Sequence, residues 1–312
     1  MGAYDLTLGA YLVGVVLSAF MLGVACTQTA TYFAIYPKDP WYIKFVVAFS
    51  LATTIGHQIS VTDKMYVNTV TYYPDPAILG DIGWGLMAQT YFNALTAFTV
   101  QGFYFYRIYI LLNRNWYFPA FLTAASVVQL IVAFVYAIKC STIAAEQIPT
   151  LGNLVTTVNS IGAALDIIIA VTMVVILLRS RTGFKQTDTV ISMLVTYVVN
   201  SGALTSACAL GTLLALQLGP LTWVAYPFYF CLGRIYCISL LASLNARRRL
   251  RASSSGSRPD EYALSYHGAT SSGNVSGNRA PAQGSVLVSI ERTAMTDNKD
   301  AESMDDRKAF RV

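Results

Sequence analysis

The sequence carries little charge for its length. Charged residues make up 12% of the 312 residues and hydrophobic residues 55%, whereas a soluble domain has about 25% charged residues. From Asn245 onward the chain has 11 of its 21 Lys and Arg residues and 8 of its 16 Asp and Glu residues. The first 244 residues therefore have only 18 charged side chains. These 244 residues, which we call the body of the chain, have too few charged side chains to form a polar surface. The composition therefore excludes an ordinary soluble enzyme and indicates lipid as the surrounding solvent.

Histidine is also scarce, and the usual catalytic motifs are missing. His57 and His267 are the two histidines, and none of the five cysteines forms a CxxC pair, which excludes a histidine-rich oxidase site and a zinc site. The sequence has no GxSxG elbow and no phosphate-binding glycine loop. We therefore predict no catalytic residues, no metal, no cofactor and no enzymatic activity. The net charge of +5 is too scattered for binding to nucleic acid.

Seven long apolar runs are each sufficient to cross about 30 Å of hydrocarbon as a helix. They cover roughly residues 8–36, 42–62, 87–112, 117–139, 157–178, 189–216 and 222–244. We expect the first run to remain as a membrane helix, because it is much longer than the apolar part of a signal peptide. The sequence thus predicts an all-α integral membrane bundle of seven transmembrane helices in residues 1–246.

Basic residues predict the orientation of this bundle. One set of alternate loops and helix ends carries nearly all of them, namely Lys38, Lys44, Arg107, Arg114, Arg179, Arg181, Lys185 and the cluster in residues 247–251, whereas the other set carries Lys64 and Lys139. Because cytosolic loops are rich in Lys and Arg, the N-terminus is predicted outside and the C-terminus in the cytosol. The membrane is either the plasma membrane or an endomembrane.

Residues 247–312 differ sharply in composition from the body. They are rich in Ser, Gly, Asn and mixed charge and show no apolar periodicity. Such a segment buries too little apolar surface to offset the entropy of ordering, so we predict a disordered cytosolic tail. The predicted partners are the lipid bilayer, a small ligand and a cytosolic protein that binds the tail.

Two ionisable residues lie near the middle of predicted spans, where charge is costly and marks a candidate site. Asp166 is in the fifth span and Arg234 in the seventh, and both lie at about the same depth at 1.5 Å per residue. We expect them to form an ion pair. This pair is either a central site that binds a ligand or gates a path, or a structural bond between two helices, and we favour the structural role.

Two further residues are weaker candidates for a ligand site or polar core. His57, in the second span, is either a proton relay or, as we favour, a hydrogen-bonding group between helices. Arg107 ends the third span and either caps a conformational switch or anchors the helix at the lipid headgroups, and we favour the anchor.

Several segments are typical of one family. The strongest are residues 181–188, the pattern Leu194, Tyr197, Asn200, Gly202 with Leu204, Thr205 and Ser206, then residues 234–236 and 239–247; Gly9, Gly14, Gly23, Gln28, Tyr32, Asp39, Lys44, His57, Gln101, Arg107 and residues 166–170 agree as well. On these residues the body resembles seven-helix membrane proteins abundant in mushroom-forming fungi, catalogued as domain of unknown function 6534. The family often has an acid three residues before the histidine, where this chain has Thr54, which puts a charge pair with His57 in doubt.

Three functions fit these observations. The first is a receptor or sensor, favoured by seven spans, an outside N-terminus and a long tail. The second is a transporter or channel that uses Asp166 and Arg234, and the third is a membrane scaffold whose tail recruits partners. The resemblance carries no activity, so the choice rests on the arrangement of the helices.

Overall fold

A computed structural model describes residues 4–72, 84–142, 152–180, 185–219 and 222–254 of the chain. The described part is all-α, as predicted. Its seven long helices are α1 (Ala10–Ile35), α2 (Trp41–Tyr66), α3 (Trp84–Leu111), α4 (Tyr117–Thr142), α5 (Gly152–Arg179), α6 (Lys185–Leu218) and α7 (Ala225–Ser254). Single π-helical turns at Asp5–Gly9 and Val67–Thr71 extend α1 at its start and α2 at its end.

The turns between helices follow from local chemistry. Pro40 precedes α2, where a missing backbone N–H costs nothing. Asn113 and Arg114, at φ values of 53° and 65°, end α3 in the left-handed region, which is accessible to Asn because its short polar side chain bonds locally. The backbone N–H of Tyr117 then donates to Oδ1 of Asn115 at 3.3 Å at the start of α4.

The helices form a closed ring in which each packs on its neighbours in sequence and α7 returns to pack on α1. The third helix also contacts α5 and α7, so four helices surround it. Large apolar side chains such as Leu12, Val16 and Phe20 point outward, whereas Ser50, Thr53 and other hydroxyl and amide groups are buried. An apolar exterior around an interior that holds polar groups is the arrangement that a lipid solvent requires.

Six of the seven helices are long and apolar enough to cross a membrane, within the ranges that the structure describes. These segments are Asp5–Ile35, Trp41–Thr71, Tyr117–Cys140, Gly152–Arg179, Val195–Leu218 and Ala225–Arg247. Helix α3 is not among them, although a span was predicted at residues 87–112. Gln89, Asn93 and Gln101 lower its hydropathy, and all three are buried. A helix surrounded by four others need not present an apolar face to lipid.

The last helix continues past the predicted end of its span. It was expected to end near residue 244, with a tail from residue 247, but α7 runs to Ser254 and so includes the basic cluster. Residues 255–312, which make up most of the predicted tail, lie outside the described residues, and the disorder of the tail stays a prediction.

Gly14 allows the close approach of α1 to α7. A Cβ at this position would lie 2.9 Å from Cδ2 of Phe230 and 3.0 Å from Cα of Pro227. Because a backbone atom cannot move aside cheaply, Gly14→Ala is expected to lower the free energy of unfolding by about 1–2 kcal/mol. Gly23→Ala on the same helix is the matched control, since a Cβ there meets nothing within 4 Å. Denaturant unfolding of the two variants in detergent measures the difference, and equal stability of both would contradict the packing.

Candidate functional site

The side chain of Arg234 lies fully buried on α7 and bonds to two residues of α2. Its Nη1 lies 2.6 Å from Nδ1 of His57 and 3.0 Å from the carbonyl oxygen of Phe230, and its Nη2 donates to Oε1 of Gln58 at 2.7 Å. A guanidinium has only donors, so Nδ1 of His57 is the acceptor. This assignment makes His57 a neutral imidazole with its proton on Nε2, an atom that has no hydrogen-bond partner among the described residues.

Gln58 extends this network to the first helix. The hydroxyl of Ser18 donates to Oε1 of Gln58 at 2.9 Å, and Nε2 of Gln58 donates to the carbonyl of Val15 at 3.4 Å. Three helices, α1, α2 and α7, are therefore joined through one amide and one guanidinium. His57 is a hydrogen-bonding group between helices, as we favoured, and its partner is Arg234.

The predicted ion pair between Asp166 and Arg234 is wrong. Both side chains are described, and Asp166 instead accepts a hydrogen bond at Oδ2 from the hydroxyl of Tyr236 at 2.7 Å. The reason is the direction in which the side chains of α7 point around its axis. Arg234 and Tyr236 are two residues apart on α7, so their side chains point about 200° apart around the helix. The side chain of Tyr236 reaches Asp166 on α5, whereas the side chain of Arg234 reaches His57 and Gln58 on α2.

Arg107 points inward as well. Its Nη1 donates to the hydroxyl of Ser243 on α7, and its guanidinium lies 5.6 Å from the ring centroid of Phe103. The side chain is half-buried against α7, and its role as an anchor at the lipid headgroups stays a prediction. The contact with Ser243 joins α3 to α7 close to the C-terminal end of α3.

Sequence reasoning missed a cluster at the same end of the bundle. Asp39, in the turn before α2, accepts hydrogen bonds from Nη2 of Arg247 at 2.5 Å and from the hydroxyl of Tyr32 at 3.0 Å. The guanidinium of Arg247 lies 4.6 Å from the ring centroid of Tyr36. We call these four residues the Asp39–Arg247 clamp. Asp39 looked like an ordinary turn residue and Arg247 like one member of a basic cluster, so neither gave a signal by itself.

A cavity of about 630 Å³ opens inside the other half of the bundle. Odd-numbered helices contribute residues near their starts, such as Tyr11, Gln89 and Trp223, and even-numbered helices contribute residues near their ends, such as Lys64 and Tyr136. Since successive helices run in opposite directions, all of these residues lie at one end, which we call the N-terminal end of the bundle. The cavity is large enough for a small organic molecule, which occupies sites of about 300–1,000 Å³.

The lining of this cavity is apolar with a few amide and hydroxyl groups. Gln89, Asn93 and Gln101 lie at intervals of four or eight residues along one face of α3, and Gln129 and Asn159 face them from α4 and α5. Lys64 is the one charged side chain among the described residues that line it. The spacing on α3 was visible in the sequence, but only the packing of six other helices shows that this face borders a cavity.

Tyr236 and Gln101 separate the large cavity from a smaller one. They line both the 630 Å³ cavity and a cavity of about 30 Å³ beside Asp166. Gln101 is held in place because its Oε1 accepts a hydrogen bond from Ser126 at 2.7 Å. Gln101 and Tyr236 thus form the inner wall of the large cavity, near the middle of the helices.

The comparisons with known proteins agree with the resemblance for part of the chain. The family of unknown function DUF6534 matches residues 162–249, which are 88 of the 312 residues. The matched segment includes Asp166, Arg234, Tyr236 and Arg247. No curated protein and no solved structure gives a significant match to the chain.

Proposed function

We propose that this protein is a receptor- or sensor-like membrane protein whose cavity binds a small molecule. The observation that carries the proposal is the one-sided cavity. Every helix contributes lining residues from the N-terminal end of the bundle, and the cavity reaches only to Gln101 and Tyr236 near the middle. A cavity that lies in one half of the bundle and ends at polar side chains near the middle favours sensing over passage.

The lining indicates the chemistry of the ligand. A mostly apolar wall with amide groups at Gln89, Asn93 and Gln129 suits a small molecule that is largely apolar and carries one or a few hydrogen-bonding groups. Buried amides reject a ligand that cannot pair with them, because an unpaired buried polar group costs about 1–3 kcal/mol. Shape and a few hydrogen bonds would thus set the specificity.

The transporter or channel alternative loses its main argument. It was based on a charged pair in the middle of the membrane, but Arg234 and Asp166 bond to different neutral partners. The scaffold alternative depends on residues 255–312, which lie outside the described residues. A flux assay separates receptor from transporter: we expect liposomes with the purified protein to pass Na⁺, K⁺ and Cl⁻ no faster than empty vesicles. Faster flux of any of these ions would favour a channel.

The orientation completes the proposal. With α3 as the seventh span, the N-terminal end of the bundle faces outside and α7 ends in the cytosol, which follows from the distribution of basic residues. A tag placed before Asp5 is expected to be cleaved by protease added to intact cells, and a tag after Val312 is expected to be protected. Cleavage of both tags, or of neither, would contradict the odd number of spans.

A tryptophan reporter tests ligand binding directly. Of the four tryptophans, Trp223 lines the cavity, so Phe at the other three positions leaves a single reporter. We expect n-octanol to change the fluorescence of Trp223 saturably in nanodiscs. Ala133→Phe, which places a ring inside the cavity and reduces its volume, should weaken the saturable change.

The matched control is Ala19→Phe, because Ala19 is exposed on the outer face of α1. This variant adds the same side chain outside the cavity and should keep the saturable response. An identical, unsaturable response in both variants would show that n-octanol acts only through the lipid, and would contradict the proposed site.

A further inference from the structure

The carboxylate of Asp166 is buried without a positive partner. Its side chain is 6% exposed, and no Lys, Arg or His among the described residues lies within ion-pair distance of it. Tyr236 donates one hydrogen bond to it, and Gln101 and Thr205 lie beside it. Neutral donors share the charge of a carboxylate but do not cancel it. A bare charge in a low-dielectric interior is costly, so an isolated buried carboxyl group either takes up a proton or binds a counter-charge.

Polar side chains form part of the wall of the small cavity next to Asp166, which is otherwise mostly apolar. Ser201, Thr205 and Ser239 contribute hydroxyl groups to it, in addition to the carboxylate. Ser201 and Ser239 donate their hydrogens to backbone carbonyls three residues earlier, at 3.1 and 2.9 Å, whereas the hydroxyl of Thr205 is within reach of both the carbonyl of Gly202, at 3.0 Å, and the carboxylate of Asp166. Since a hydroxyl has one hydrogen and two lone pairs, each of the three oxygens keeps a lone pair for a cation, although Ser239 also accepts a hydrogen bond from the hydroxyl of Tyr104 at 3.5 Å.

This combination selects a small cation. An anionic oxygen and three acceptor oxygens make the cavity electronegative, and hard cations prefer carboxylate and neutral oxygen ligands. The volume of about 30 Å³ is about twice the 10–15 Å³ that one water-sized sphere needs, so it holds an ion and at most one water. A single carboxylate balances one positive charge, which favours a monovalent ion over a divalent one.

We propose that Asp166, Ser201, Thr205 and Ser239 bind one sodium ion between α5, α6 and α7. Asp166 supplies the negative charge from α5, Ser201 and Thr205 supply oxygens from α6, and Ser239 supplies one from α7. Such an ion would join three helices that otherwise meet here through Tyr236 and small side chains. The site is separate from the ligand cavity, with which it shares the walls formed by Gln101 and Tyr236.

Thermal unfolding in detergent tests the site. We expect the melting temperature to rise saturably as NaCl replaces choline chloride at constant ionic strength, because a ligand that binds the folded state stabilises it. Asp166→Asn keeps the shape of the side chain and removes the charge, and should abolish the dependence on sodium. Asp63→Asn is the matched control, since this carboxyl is at the end of α2 outside the cavity, and should keep it.

Substitutions that keep the carboxylate and remove one neutral oxygen test the site if Asp166→Asn does not fold. Thr205→Val and Ser239→Ala each remove one oxygen and should raise the NaCl concentration for half-maximal stabilisation several-fold. Equal melting temperatures in NaCl and choline chloride, or a sodium effect that persists in Asp166→Asn, would overturn the proposal, and stabilisation by KCl alone would overturn the assignment to sodium. Because no organic ligand enters this experiment, its result is independent of the fluorescence test of the large cavity.

Discussion

Replacing Arg234 by methionine is expected to lower the free energy of unfolding by about 2–4 kcal/mol. The change removes three charge-assisted hydrogen bonds, to His57, Gln58 and the carbonyl oxygen of Phe230, each of which contributes about 1.5–3 kcal/mol. The expected loss is below the full sum because helices separated in a bilayer also find polar partners. Methionine has a similar length and leaves no polar atom of its own unpaired. Unfolding by sodium dodecyl sulfate measures the effect.

The exposed arginine at the end of α5 is the matched control. Arg179→Met makes the same chemical change at a side chain exposed to solvent, and should alter the free energy of unfolding by less than about 0.5 kcal/mol. If the two variants lost equal stability, the buried network around Arg234 would not be a source of stability.

A double-mutant cycle identifies the partner of Arg234. Arg234→Met and Gln58→Leu remove the two ends of one hydrogen bond, so their effects should fall short of additive by about 0.5–3 kcal/mol. Arg234→Met and Asp166→Asn should instead be additive to within about 0.5 kcal/mol, because the two side chains bond to different residues. Strong coupling in the second cycle would restore the ion pair that the sequence suggested.

This contrast shows how far the sequence could predict the site. Counting residues at a fixed rise per residue places Asp166 and Arg234 at similar depth in the bundle. Depth says nothing about the direction in which each side chain points relative to neighbouring helices, because that depends on how the whole ring packs. Arg234 bonds to His57 and Gln58, a neutral imidazole and an amide, and a search restricted to charges could not find either partner.

The helices themselves were more predictable than their contacts. Long apolar runs determine six spans directly, and prolines, asparagines and arginines mark the turns between them. Helix α3 was predicted as a span from its length, although its inward face carries Gln89, Asn93 and Gln101. These residues are better explained by the cavity they line than by contact with lipid. A polar stripe on one face of an otherwise apolar helix was the available signal for the cavity.

The second large effect is expected at the Asp39–Arg247 clamp. Asp39 accepts hydrogen bonds from both Arg247 and Tyr32, and the two ion-pair side chains are 16% and 23% exposed. Removing the carboxylate by Asp39→Ala should therefore lower the free energy of unfolding by about 2–3 kcal/mol, close to the upper range for a hydrogen bond to a charged group. A surface ion pair of the same length would contribute about 0–1 kcal/mol.

The comparison between variants of the clamp separates its ion pair from its packing. Arg247→Gln should cost about as much as Asp39→Ala, and the double variant should cost little more than either one, because each single change already breaks the bond. Lys44→Gln, in the first turn of α2, is the matched control: Nζ of Lys44 donates to the carbonyl of Pro37 in a solvent-exposed hydrogen bond, so a change below about 0.5 kcal/mol is expected. Additive losses in the double variant would mean that Arg247 acts through its contact with the ring of Tyr36, 4.6 Å away. The clamp would then be a stacking contact between α1 and α7, and Tyr36→Leu would reproduce the loss caused by Arg247→Gln.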